Sequence, residues 1–273
     1  MRVSVMVPTY KDIKALELIL NALKCQTYEN FEVIIAEDNN DDETKKFINT
    51  YSSDLSIQHI SQEDVGNRKA RILNKSLSKI TGEYVIFIDG DCIPYTNFIE
   101  SHILLCSSKT VLCGRRVNLG DKVSQDLRKN SITSIELEKH YIKYFKYLIS
   151  DNSRHLEQGL RFRPLSLLYK LIRSRDKNIH IVGSNFSCFK EDLFLINGFD
   201  EDITGGSKDD VDLEWRFVMA GLELKSCKFC ANLFHLNHPR NSRVDDENIA
   251  RNEIKKNKLS QKYIAQNGIL KYV

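Results

Sequence analysis

No stretch of the 273-residue sequence approaches the ~18–20 uninterrupted apolar residues that a membrane-spanning helix needs. The longest apolar runs, such as Tyr84–Ile88, are strand-sized and end in charge or glycine. The start is apolar from Val3 to Val7. It lacks a basic segment leading into an apolar stretch and a small-residue cleavage site, so no signal peptide is predicted. Charge of one sign is also scarce: 40 Lys and Arg against 37 Asp and Glu leave +3, too little and too mixed for a nucleic-acid footprint. Internal repeats and low-complexity tracts are missing. What is present, 41% hydrophobic and 28% charged residues, is the balance of a folded chain and excludes a disordered one. The length suffices for one large domain or two small ones.

Seven scattered cysteines, an odd number without an export signal, predict reduced thiols in a cytoplasmic protein. Cys227 and Cys230 form a Cys-x-x-Cys followed by His235 and His238. Four residues separate the pairs, far fewer than the about a dozen of a zinc finger, which disfavours structural zinc.

Along residues 1–116, short apolar runs alternate with helix-like segments, the pattern of a sheet with crossover helices. Val3–Val7, Phe31–Ala36, Ser56–Ile60 and Tyr84–Ile88 read as strands; Ile13–Leu23, 42–51 and Asn67–Ile80 read as helices. Ligands of open α/β sheets collect beyond the carboxyl ends of strands, which is where Pro8-Thr9-Tyr10, Glu37-Asp38-Asn39 and Asp89-Gly90-Asp91 fall. From 117 to 182 the chain is more polar, with few strand signals. Within Leu160–Lys177, six basic residues (Arg161, Arg163, Lys170, Arg173, Arg175 and Lys177) accompany one acid, Asp176. Leu165, Leu168, Leu171 and Ile172 recur there at helical spacing. Two readings follow: a core-facing helix with a solvated basic face, or a segment lying on anionic lipid or an acidic acceptor. Order returns over Ile179–Phe189, with helices expected from Glu191 and over Asp209–Met219, strands near 222–227 and 231–236, and a charged helical tail.

Two clusters invite chemistry. Asp89-Gly90-Asp91, projecting from a buried strand into a turn, suits a hard divalent cation that keeps open positions for substrate phosphates. Asp209-Asp210-Val211-Asp212 opens a helix. Acids there favour the positive end of the helix dipole, but three carboxylates in four residues also raise one another's pKa and can poise one as a general base.

In order along the chain stand Pro8-Thr9-Tyr10, Glu37-Asp38, Asp89-Gly90-Asp91, Gly183-Ser184-Asn185, Gly198-Phe199-Asp200-Glu201 and Asp209-Asp210-Val211-Asp212-Leu213. Over about 1–116 and 180–240 this set resembles the family 2 glycosyltransferases of the GT-A fold, and its second half resembles the catalytic module of β-1,4-galactosyltransferases. The resemblance implies an α/β fold with a mainly parallel, Rossmann-like sheet. It divides the chain into a nucleotide-sugar half (1–116), a helical insertion on the acceptor or membrane side (117–182), an acceptor and catalytic half of the same domain (183–244) and a helical tail (245–273). By the resemblance, Pro8, Thr9, Tyr10 and Asp38 line the nucleotide pocket and Arg71 contacts the nucleotide end. Asp89 and Gly90 meet the ribose or metal, and Asp91, His235 and His238 hold Mn²⁺ or Mg²⁺. Gly183, Ser184, Asn185 and Asp209 border the sugars, and Asp210 is the base. The implied reaction moves a sugar with inversion from a nucleotide donor, a UDP-sugar, to a glycan or lipid-linked glycan. The implied setting is the cytoplasm, where nucleotide sugars are found; the basic, leucine-bearing 160–177 segment adds the expectation of peripheral binding to the inner face of the membrane.

The chain departs from the family where the second strand ends in Glu37-Asp38-Asn39-Asn40 rather than Asp-Asp-Gly-Ser. It departs again where Gly205-Gly206-Ser207-Lys208 replaces a loop whose Trp stacks on a sugar. The only tryptophan, Trp215, lies on the following helix and reads as packing. Two alternatives are a sugar-nucleotide nucleotidyltransferase, disfavoured because Pro8-Thr9-Tyr10-Lys11-Asp12 lacks a glycine-rich triphosphate loop, and a non-catalytic nucleotide-sugar module. Neither the phosphate-loop nor the dinucleotide fingerprint is present.

Overall fold

A computed structural model of the chain describes residues 1–203, 209–238 and 244–273, the side chains of 244–247 excepted. The Gly205–Lys208 stretch singled out above lies outside the described residues. In chain order the elements are β1 (Val3–Thr9), α1 (Ile13–Leu23), β2 (Phe31–Glu37), α2 (Asp42–Asn49), β3 (Ile57–Ser61), α3 (Lys69–Leu77), β4 (Tyr84–Ile88), β5 (Cys92–Pro94), α4 (Phe98–Leu105), β6 (Thr110–Cys113), β7 (Val117–Asn118), α5 (Asp121–Arg128), α6 (Ser134–Lys139), α7 (Tyr141–Ser150), α8 (Leu167–Arg175), β8 (Asn185–Phe189), α9 (Lys190–Leu195), α10 (Asp209–Met219), β9 (Glu223–Ser226), β10 (Leu233–His235) and α11 (Val244–Leu259).

The main sheet runs β3-β2-β1-β4-β8-β6-β9. It is mainly parallel; β8 alone runs antiparallel to its neighbours β4 and β6. This is the mixed, helix-flanked sheet expected of a GT-A fold. Because β8 lies between β4 and β6, segments before and after the 117–182 stretch share one sheet. A second sheet has the order β5-β10-β7, with β10 antiparallel to β5 and parallel to β7.

Alternation along the strands sends side chains to two cores. Val3, Val5 and Val7 of β1 join Leu16, Ile19 and Leu20 of α1 and Phe98 and Ile99 of α4 on one face. Met6, Ile34, Val85 and Phe87 join Ile72 and Leu73 of α3 and Leu213 and Phe217 of α10 on the other. Asp12 caps α1 by accepting from the Ala15 N–H at 3.0 Å.

The helix carrying the acid cluster is pinned from below. Arg216 Nε donates to Asp212 Oδ2 at 2.6 Å, and Nη1 donates to the Ile196 and Gly198 carbonyls at 3.0 and 2.7 Å. Both side chains are buried, so removing one leaves an uncompensated charge. Arg216→Met is expected to destabilise the fold by ~3–5 kcal/mol in urea unfolding. A loss below ~1 kcal/mol would show that this pair does not anchor α10.

Candidate active site

The buried strand β4 delivers Asp89-Gly90-Asp91 to the carboxyl edge of the sheet. A Cβ on Gly90 would lie 2.2 Å from the Pro8 carbonyl oxygen, so this turn closes against β1 only with glycine there. β5 then pairs antiparallel with β10, Cys92 facing His235, and the Leu236 N–H donates to the Asp91 carbonyl at 2.9 Å. This register carries both histidines to one carboxylate. His235 Nε2 and His238 Nε2 lie 3.3 and 3.0 Å from Asp91 Oδ2.

One donor atom from each of Asp91, His235 and His238 falls within 4.8 Å of the others. Burial alone would raise the Asp91 pKa. The hydrogen bonds and charge of the two imidazoles outweigh it and hold the carboxyl well below its usual range. An ionised carboxylate with two imidazoles is a donor set that fits Mn²⁺, and the exposed His238 leaves one side of it open to a substrate. A second grouping, Asp89, Asp91 and Cys92, fits less well, because burial raises the Cys92 thiol far above its usual pKa. Cys227 and Cys230 are buried elsewhere, and the histidines that follow them turn to Asp91.

Asp89 is paired rather than free. Lys69 Nζ approaches its Oδ1 at 2.7 Å and Arg116 Nη1 its Oδ2 at 3.6 Å. Burial alone would lower the Lys69 pKa; Asp89 first, then Asp210 and Asp209, outweigh it and raise it. Through Lys69 the acids of β4 and of α10 face one another across one site. Burial pushes Asp209 up to about 6, with Lys69 opposing and Asp210 adding repulsion. Asp210 is raised chiefly by burial, while Lys69 and the Gly183 N–H pull it down. Crowding, the cause expected from the sequence, is thus secondary to desolvation.

Gly183 lies directly against the acid: a Cβ there would meet Asp210 Oδ1 at 2.5 Å. Gly183→Ala is therefore expected to displace that carboxylate and cut turnover by up to about 10²-fold, with the unfolding midpoint little changed. Unaltered turnover would mean that the Gly183–Asp210 contact is irrelevant to the reaction.

The remaining expected residues divide. Thr9 is buried and Tyr10 exposed, its hydroxyl donating to Asp64 at 3.2 Å. Asp38 accepts from Gln62 Nε2 at 2.6 Å and from the Arg68 N–H at 2.8 Å, tying the end of β2 to the start of α3. Its neighbour Glu37 is buried and structural, bonded to His59 at 2.7 Å and to the Asp41 N–H at 3.2 Å. Arg71 is exposed and lines a cleft of about 470 Å³ with Asn67, Lys69, Asp209 and Tyr272. The volume suits a small-molecule site. Ser184 and Asn185 are fully buried. The Asn185 amide donates to the Arg115 and Ala231 carbonyls at 2.8 and 2.9 Å, so it braces the wall behind the site.

Sequence reasoning missed Lys69, Arg116 and the Asp12–Arg128 pair. Arg128 donates to both Asp12 oxygens at 2.7 Å and feels Asp91. One signal was present: Arg68, Lys69 and Arg71 crowd the first turn of α3, where the dipole disfavours cations. Such a cation needs a carboxylate, and Asp89 provides it.

Residues 4–194 match the sequence profile of glycosyl transferase family 2. The chain belongs to this family. Chondroitin synthase of Escherichia coli is 24% identical over 262 residues, covering 91% of this chain and 37% of that protein. Validoxylamine A glucosyltransferase of Streptomyces hygroscopicus subsp. jinggangensis is 24% identical over 229 residues, covering 81% and 52%. This family 2 chain thus spans between about a third and a half of those relatives. Among solved structures, S. aureus TarS 1-349 in complex with UDP-GlcNAc superposes with a TM-score of 0.60 at 16% identity, covering 100% of this chain and 69% of that one. The mannosyltransferase PcManGT from Pyrobaculum calidifontis, with GDP-Man and Mn²⁺, gives 0.56 at 18% identity, covering 88% and 58%. Both share the fold.

Proposed function

We propose that this family 2 enzyme is an inverting, metal-dependent glycosyltransferase that moves a sugar from a UDP-sugar to a hydroxyl of a glycan or lipid-linked glycan, with Asp210 as base. The observation that carries the reading is the gathering of Asp91, His235 and His238 at the end of β4, joined through Asp89 and Lys69 to Asp210. The relatives support it: one is solved with UDP-GlcNAc and another with GDP-Man and Mn²⁺. When bound at Asp91, His235 and His238, a divalent cation supplies Lewis-acid stabilisation of the leaving diphosphate.

The chain's own residues do the rest. Thr9, Tyr10, Asp38 and Arg71 line the nucleotide side, with Pro8 and Gly90 shaping its floor. Lys69 and Arg116 fix Asp89 toward the ribose. Asp209, Gly183, Ser184 and Asn185 form the sugar side and the wall behind it. Asp210 accepts the proton of the attacking hydroxyl, and a single displacement inverts the anomeric centre. In this reading 1–116 is the nucleotide half, 117–182 the acceptor-side insertion, 183–244 the catalytic half and 245–273 a tail. The carboxyl-terminal half works as in β-1,4-galactosyltransferases, and catalysis takes place at the cytoplasmic face of a membrane.

A screen of UDP-sugars with Mn²⁺, following UDP release with and without glycan acceptors, tests this reading. Acceptor-stimulated release is expected. Pyrophosphate release from UTP and a sugar phosphate, without transfer, would replace it with the nucleotidyltransferase.

The base also fixes a pH profile. Asp210 works ionised and its pKa is raised, so kcat/KM should climb with pH through a limb above the ordinary aspartate range. Lys69 favours the charged form; Lys69→Gln should therefore move that limb to higher pH. A limb that stays put or moves down would remove Lys69 from the role of tuning the base.

A further inference from the structure

The helix α8 meets the core along a narrow strip and leaves its leucines exposed. Tyr169 is its inward anchor, buried, with its hydroxyl donating to the Ser226 carbonyl at 2.8 Å, and Ile172 and Arg173 flank it half-buried. The opposite ridge, Leu167, Leu171 and Ser174 at i, i+4 and i+7, faces outward. Leu167 is 87% exposed, and Leu165, Leu168 and Leu171 are 52%, 51% and 50% exposed. The core-facing reading raised by the sequence holds for Tyr169 and Ile172 and for the solvated basic side chains, but not for Leu165, Leu168 and Leu171, which stand half or more exposed.

Charge surrounds the ridge. Lys170, Arg163, Arg175 and Lys177 are exposed and have no carboxylate partner among the described residues. The one acid of the segment, Asp176, is already matched by Lys228 at 2.8 Å. Arg161 is spent on Glu138 at 2.8 Å. Leu165, just before the helix, holds a left-handed φ of 64°, a conformation that a Leu side chain rarely adopts. An outward leucine ridge fringed by uncompensated cations matches a surface that is apolar within and anionic above.

We infer that α8 is a membrane-docking element: Leu167 and Leu171, with Leu165 and Leu168, enter the acyl boundary of an anionic bilayer while Lys170, Arg163, Arg175 and Lys177 meet its headgroups. This rests on the proposed transferase only in bringing the site to a lipid-linked acceptor; the docking itself needs neither donor nor metal.

Flotation of the whole chain with phosphatidylcholine vesicles, with and without ~30% phosphatidylglycerol, tests it. Binding is expected to the anionic vesicles and to fall at least ~10-fold without phosphatidylglycerol or in high salt. Leu167→Ser/Leu171→Ser and Lys170→Glu/Arg175→Glu should each weaken it at least ~10-fold. Because these side chains are exposed, UDP release by both variants should equal that of the parent, which separates lost docking from lost folding. Binding that survives the leucine changes, absence of binding to anionic vesicles, or leucine-dependent self-association by light scattering in place of vesicle binding would each overturn the inference. Vesicle binding by a chain that transfers no sugar would leave docking standing and remove the transferase.

Discussion

Asp210→Asn is expected to lose about 10²–10⁴-fold in kcat while still binding UDP and Mn²⁺ as the parent does. The magnitude is what a positioned general base contributes. The asparagine keeps the size of the side chain and its place beside Gly183, and the metal trio does not include Asp210. Transfer should therefore fail at proton removal rather than at donor binding. Rapid-quench turnover, paired with UDP titration, checks this. A fall in affinity with kcat preserved would make Asp210 a binding residue, and turnover equal to the parent would move the base elsewhere, with Asp209 the nearest candidate.

The second large effect belongs to the histidines. His235→Ala/His238→Ala leaves Asp91 without the two partners that hold it ionised and removes two of three donor atoms. Lewis-acid stabilisation amounts to several kcal/mol, on the order of 10²–10³-fold in rate. Chelator-treated parent enzyme should regain turnover on adding Mn²⁺, whereas the double variant should not at any practical concentration. Recovery of the variant at the parent's Mn²⁺ midpoint would place the cation elsewhere. His238 is the more exposed of the two, so its single change should weaken Mn²⁺ binding more than it disturbs the fold.

Helix Ile13–Leu23, strand Tyr84–Ile88 and helix Asp209–Met219 were legible to the residue, because a strong apolar period coincides there with punctuation: Asp12 as cap, Gly82 before the strand, and acids opening α10. The acids at strand ends were legible for the same reason, since chain order alone places them on one edge. Contacts that depend on long-range register were not. β5 and β10 are three residues each, too short for a period, yet their pairing is what carries His235 to Asp91. Lys69 and Arg116 are single charges in helix and loop; only folding shows them beside Asp89. Periodicity also told that the leucines of α8 share a face, but not that this face looks outward, because it reports spacing and not orientation. Asn185 shows what a motif leaves out: its Nδ2 donates to two backbone carbonyls, a bracing contact that the Gly183-Ser184-Asn185 spacing does not announce.

In the proposed enzyme Asp91, His235 and His238 hold one cation against a donor diphosphate within reach of Asp210. Titrating Mn²⁺ in the presence of UDP by electron paramagnetic resonance, in the parent, Asp91→Ala, His235→Ala/His238→Ala and Asp210→Asn chains, tests it most directly. One bound Mn²⁺ per UDP is expected in the parent and in Asp210→Asn, and loss of that signal in the other two. Full Mn²⁺–UDP binding by Asp91→Ala and by the double histidine variant would contradict it.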